Sequence, residues 1–294
     1  MESRIRFVIT ILSFGMLAFV PMPISNYDPE YVTVSTVQDV SSTYNVVYMR
    51  RSASGNRIKV KYFSSTDEDG ASVVQRFREW SNGKDIICLS SGGYMDNNQY
   101  PVGINVDNGN VVNRTLENFD GLVIVFATGG VVASNLKDAD LTLQGGDIPP
   151  GKKLNIRNSA IDRSMFLNWC ESQYATVFQT HLLAYKNQLK ISGVNSNQTK
   201  RERRFLVVGK DKESNEVIHA IVHSHDVATL YEGAKRTLNF LNKYKNMEVT
   251  FMINLDPGAQ DVFFLFDEDG ELDNTIHGTK NLDEAANLLV YYYE

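Results

Sequence analysis

The chain has 294 residues, 43% of them hydrophobic, enough to bury a sizeable core in one large domain or two small ones. Its 29 Lys and Arg against 35 Asp and Glu give a formal charge of −6 without long runs, and it lacks the basic stripe of a nucleic-acid binder. RERR at 201–204 is the densest basic cluster, but an apolar strand pattern follows it at once, so no nucleic-acid partner is expected.

In chain order, the first feature is a targeting signal. Arg4 and Arg6 precede FVITILSFGMLAFV, residues 7–20. That stretch is short of the roughly 20 residues that span a bilayer and has the length of a signal-peptide apolar region. Residues 1–25 therefore read as a signal peptide or an N-terminal anchor that holds the chain to a membrane through residues 7–20; the alternative is a buried N-terminal helix. The expected location is exported, periplasmic or secreted.

Residues 31–65 hold three strand-like segments, YVTVSTVQ, STYNVVYMRR and RIKVKYFSS, and ASVVQRFREWSNG at 71–83 carries apolar residues at helical spacing up to Gly83. IICLSSGGYMD, PVGINVDNGNVV, DGLVIVFATGGVVA and ATVFQTHLLAYKNQL read as strands joined by Gly- and Asn-rich turns, and FLNWCES between them as helical. Residues 137–160 look like a long surface connection. FLVVGKDKESNEVIHAIVHS has the form of a hairpin with a charged turn, and TLYEGAKRTLNFLNKY that of an amphipathic helix. No linker divides residues 30–294. The expected fold is α+β, a mixed β-sheet core packed by helices, in a single domain after the signal segment. Residues 26–84 supply its N-terminal strands and helix, and residues 85–294 its core. Cys88 and Cys170, 82 positions apart in apolar surroundings, are either a disulfide or two buried thiols.

FMINLDPGAQDVFFLF, 251–266, sets a polar turn between two apolar runs. Phe251, Met252, Ile253 and Leu255 leave almost no polar face, which predicts an interior strand. Its tip carries Asn254 and Asp256 on one side by period-two alternation. Pro257 fixes one dihedral and Gly258 frees another, as in an ordinary hairpin or in a rigid floor for a ligand.

The order of several segments resembles the phosphodiester glycosidase family, relatives of the enzyme that uncovers mannose 6-phosphate. The resemblance rests on SSGGYMDNNQYPVGINVDNG at 90–109, VFQTHLLAYKNQL, RRFLVVGKD, the hairpin and helix, and MINLDPGAQ, and it covers roughly residues 85–270. It implies a hydrolase acting on a sugar phosphodiester or related glycan bond without a cofactor. Asp256 would be the catalytic carboxylate, and Arg204 the anion clamp, with Arg203 the competing assignment. Ser91, Gly92, Gly93 and Tyr94 would form a loop against the sugar, joined by Asn254, Gly258, Gln260 and Gln179. The chain departs from the family's pattern at Ser91, where an Asn is usual, and at Pro257, Ala259 and Gln260, where a Gly-rich Ser turn is usual.

His219, His223, His225 and Asp226 spell H-x-x-x-H-x-H-D. On a strand the three histidines share a face, but residues two apart stand about 6.5–7 Å from each other, so His219 is too far from His225 for one ion. His223 and His225 could share one only at a bent strand end. No metal is therefore assigned, and His225 at the strand tip is a candidate general acid or phosphate contact. A second reading keeps the fold without catalysis, as a carbohydrate-binding or envelope-associated protein, favoured by Ser91 and Pro257.

Overall fold

The computed structural model describes residues 28–39, 42–65, 72–193, 199–255, 261–266, 272–273 and 278–294. Residues 1–27, with the expected signal segment, lie outside them. In chain order the elements are β1 (Val32–Asp39), β2 (Ser42–Arg50), β3 (Ile58–Ser64), α1 (Val73–Ser81), β4 (Asp85–Ser90), β5 (Asn105–Asp107), β6 (Asn110–Asn113), β7 (Gly121–Val125) and β8 (Val131–Asn135). Then follow β9 (Leu141–Thr142), β10 (Lys153–Leu154), α2 (Ala160–Gln173), β11 (Thr176–Thr180), β12 (Leu182–Tyr185), β13 (Gln188–Leu189), β14 (Arg201–Asp211) and β15 (Val217–Ala228). The last are α3 (Leu230–Tyr244), β16 (Met247–Leu255), β17 (Phe263–Phe266), β18 (Leu272–Asp273) and β19 (Asn287–Tyr293).

The fold is a single α+β domain. A seven-stranded sheet runs β1-β2-β15-β14-β16-β12-β13, and two five-stranded sheets run β6-β5-β11-β7-β8 and β18-β17-β4-β19-β3. The expected α+β sheet core packed by helices is found, divided among several sheets in which every pairing among the described residues is antiparallel. The continuous apolar runs mark strands that are covered on both faces by stacked layers. The inner face of the seven-stranded sheet, with Val47, Ile221, Leu206 and Ile253, packs against residues of both five-stranded sheets, among them Ile87, Val123, Phe178 and Tyr291. Its outer face is closed by α3, through Leu230, Ala234, Leu238, Phe240 and Leu241. Helix α2 covers the sheet containing β11 and β7, and α1 the sheet containing β4 and β19.

Local signals explain the helices. Ser72, Ser159 and Thr229 each accept a backbone N–H in the first turn, and Thr229 with Glu232 closes a capping box on α3. The expected long connection at 137–160 holds the short β9–β10 pair, and the two cysteines are buried free thiols in different core clusters. Burial pushes the Cys88 thiol up to about 12. Among the described residues no helix is long and apolar enough to cross a membrane.

Candidate functional site

The site is built on strand tips at one end of the seven-stranded sheet. Asn45 of β2, His223 of β15, Arg204 of β14 and Leu255 of β16 form one row in direct register. The row faces the inter-sheet core, two residues along from Val47, Ile221, Leu206 and Ile253. The basic run at 201–204 is accordingly no surface patch, because Arg203 and Arg204 are both buried.

Alternation separates the two arginines. Arg203 turns toward α3, packs where Gly233 leaves room, and donates to the carbonyls of Ala228 and Thr199. Arg204 is fully buried on the other face. Its Nη1 donates to Asp261 Oδ1 at 2.8 Å, and its guanidinium lies 4.5 Å from the centre of the Phe263 ring. Burial pushes its pKa down from the usual arginine value against the pull of Asp261. Nε and Nη2 have no hydrogen-bond partner among the described residues. A buried guanidinium with half its fork unmatched departs from the ordinary rule that buried donors are paired.

Asp256, Gly258 and Gln260 lie outside the described residues, but both flanks of their segment are fixed. After it, Asp261 accepts from Arg204 and from the backbone N–H of Thr279, while the Val262 carbonyl accepts the N–H of Ser91. Before it, Asn254 donates from Nδ2 to the Tyr94 hydroxyl at 2.6 Å, and its carbonyl accepts the Thr180 hydroxyl. The flanks, Arg204 and the 91–94 loop therefore meet. Arg204 and Asn254 do not share a face, since Asn254 stands opposite Phe205 in the row that faces α3. The Tyr94 ring stacks on Phe119 at 5.0 Å, and His181 meets both rings edge-on. Burial lowers the pKa of His181, which favours a neutral ring there.

Other expected contacts belong to the scaffold. Gln179 donates to the carbonyls of Glu117 and Phe119 and accepts the N–H groups of Ile104 and Glu117, which uses both its donors and its oxygen. It holds the loop that carries Phe119. Gly92 donates to Asn287 Oδ1 at 2.6 Å, and Asn287 Nδ2 donates to the Gly93 carbonyl. A Cβ at Gly92 would lie 2.7 Å from the Tyr62 ring, so packing against Tyr62, itself stacked on Phe178, requires the bare backbone. Ser91 is buried beside them.

His225 is exposed at the end of β15, its ring centre 4.7 Å from that of His223. His223 is buried, with Nε2 3.2 Å from Glu202 Oε2, and burial followed by the Arg204 charge pushes its pKa down to about 3. His219 sits deeper, against the Tyr291 hydroxyl at 3.0 Å. Sequence reasoning missed Glu202, Asp261, Phe119 and Asn287. Only Asp261 carries a local signal, as a carboxylate directly before the buried run VFFLF.

No family model and no curated protein matches the chain. Among solved structures it is similar to the catalytic domain of zebrafish N-acetylglucosamine-1-phosphodiester alpha-N-acetylglucosaminidase auto-inhibited by its pro-peptide, at 13% identity and TM-score 0.49 over 93% of this chain and 87% of that one. It is also similar to a hypothetical protein from Synechocystis, at 12% identity and TM-score 0.46 over 90% of this chain and 62% of that one. A third likeness, to an exported protein from Burkholderia pseudomallei, stands at 10% identity and TM-score 0.37 over 85% and 74% of the two chains. These likenesses are distant and carry no chemistry with them.

Proposed function

We propose that the protein is an exported hydrolase acting on a sugar phosphodiester or a related glycan bond. The carrying observation is the buried Arg204 fork, whose Nε and Nη2 have no partner among the described residues although Nη1 is held by Asp261. Such a fork suits a phosphate or another planar anion, which it can bind through two parallel N–H groups. Breaking a glycosyl–phosphate bond builds positive charge on the sugar and negative charge on the leaving group. Arg204 would stabilise the second. Asp256, in the segment whose flanks bind Arg204 and Tyr94, would supply the carboxylate that serves the sugar or its attacking water. Tyr94 and Phe119 would offer ring faces to a sugar, and the exposed His225 would serve as general acid or phosphate contact.

The test is a panel of glycosyl phosphodiesters presented to the purified protein. Asp256→Asn is expected to remove turnover by more than about a hundredfold with the fold intact, while Arg204→Lys chiefly raises KM through loss of the bidentate contact. Undiminished activity in Asp256→Asn overturns the assignment of that carboxylate. A noncatalytic carbohydrate binder is the second reading. It is favoured by the engagement of Gln179, Ser91, Gly92 and Gly93 in the scaffold, and saturable binding without turnover in the unaltered protein would select it. For export, a chain lacking residues 1–25 is expected to fold and stay in the cytoplasm; an insoluble product would make that segment part of the core.

A further inference from the structure

We propose that Glu202, His223 and His225 form a binding site for a divalent ion of the zinc class. One ligand atom from each lies within 4.8 Å of the others, and the His223 Nε2 to Glu202 Oε2 distance of 3.2 Å already approximates one edge of a metal tetrahedron. With bonds of about 2.0–2.2 Å, neighbouring ligand atoms in such a site stand roughly 3.3–3.5 Å apart.

The backbone explains how the histidines approach each other. On a regular strand, side chains two apart are separated by about 6.5–7 Å, too far for comfortable sharing of one ion. Here β15 advances from Ser224 to Ala228 while β14 advances only from Arg203 to Arg201, so the segment around His225 bulges opposite Glu202. The bulge is pinned from β2, because Asp226 Oδ2 accepts the Thr43 N–H at 2.8 Å and Ser224 meets Ser42. As a result the His223 and His225 rings lie 4.7 Å apart at 79° to one another.

A second observation points inward. His223 is 6% exposed, its Nε2 meets Glu202 Oε2, and its Nδ1 has no partner among the described residues. Two imidazoles and one carboxylate select zinc and its neighbours over magnesium and calcium, which prefer all-oxygen shells. Three protein ligands leave a fourth position open, as catalytic zinc sites do and closed structural ones do not. Glu202 and His225 are exposed, so an ion can enter from solvent. Arg204 lies in register beside His223, but its charge is balanced by Asp261.

The inference does not rest on the hydrolase reading, because it is tested without substrate. Full-length, tag-free protein stripped with a chelator is titrated with Zn2+ in a calorimeter, and with Co2+ while the visible spectrum is recorded. One ion per chain and an intense, tetrahedral-type Co2+ absorption are expected. Loss of an outer-shell partner alone weakens metal sites by about 10–100-fold, so His225→Ala and Glu202→Gln should each cost at least that. Both residues are exposed, and the metal-free melting temperatures of the variants are expected to match that of the unaltered protein. Absence of saturable Zn2+ binding overturns the site, as does unchanged affinity in both variants. Equal binding of Mg2+ or Ca2+ overturns its assignment to the zinc class.

Discussion

Two polar regions flank the same strand tips and differ in how completely they are satisfied. The side chains of Gln179 and Asn287 and the backbone of Gly92 and Gly93 meet partners, and the missing Cβ of Gly92 is accounted for by the Tyr62 ring, whose own hydroxyl has no partner among the described residues. Around Arg204, His223 and Asn254, buried atoms stand without partners among the described residues: Nε and Nη2 of the arginine, Nδ1 of the histidine and Oδ1 of the amide. Leaving such groups unmatched costs about 1–3 kcal/mol each, and ordinary packing removes them. The first region is bound into the scaffold, and the second is where the proposed ligand would be met.

The comparison breaks most visibly at Asp261. Asp261→Ala removes the carboxylate that Arg204 pairs with and should cost about 3–5 kcal/mol in urea unfolding, because the charge left behind is buried. If the cost stays below about 1 kcal/mol, Arg204 has other support and is not poised for a ligand. Next comes Gln179→Met, which orphans several main-chain groups of the 104 and 117–119 loops and should destabilise by about 2–3 kcal/mol in the same measurement. A Gln179→Met protein that keeps its stability and loses only ligand binding would move Gln179 from scaffold to site. Gly92→Ala should cost about 1–3 kcal/mol by overpacking Tyr62, read as a lower denaturant midpoint at unchanged slope.

The smallest effect is a pH dependence from within the scaffold. Burial pushes the pKa of His219 down to about 3, so the folded state keeps the ring neutral while the unfolded chain takes up a proton below about 6.5. Its stabilising contribution is complete above that pH and is lost as pH falls toward 3. Between pH 6 and 5 the loss is about 1 kcal/mol, and His219→Gln should flatten that part of the stability profile. An unchanged slope would mean that His219 is protonated in the fold.

How much of this was legible in the sequence depended on range. The capping Thr229, the hairpin of β14 and β15, and the interior position of Met247–Leu255 all follow from neighbours within one element or one turn. Strand partners did not, because a period of two tells which face a residue occupies and not which strand lies beside it. Alternation correctly parted Arg203 from Arg204, but it also put Asn254 on the face away from Arg204, which was not foreseen. Gly92 and Gly93 looked like room for a ligand until Tyr62 was seen to fill it. Glu202 joined the histidines only through cross-strand register and a bulge, neither of which leaves a trace in a linear pattern. Asp256, Gly258 and Gln260 lie outside the described residues, so the opening between hairpin turn and ligand floor is decided by experiment.

The position of β19 has a consequence for how the chain reaches this state. Among the described residues β3 pairs with β19 alone, and β19 is wedged between β3 and β4, so residues 58–64 gain their described sheet neighbour only once residues 287–293 exist. More than two hundred residues of synthesis separate the two, and closing so large a loop precedes any gain from the pairing. Until then β3 and β4 offer bare, apolar edges. A released chain truncated before residue 287 would therefore keep bare edges that holdase chaperones retain, while a released chain that includes residues 287–293 can close its sheet.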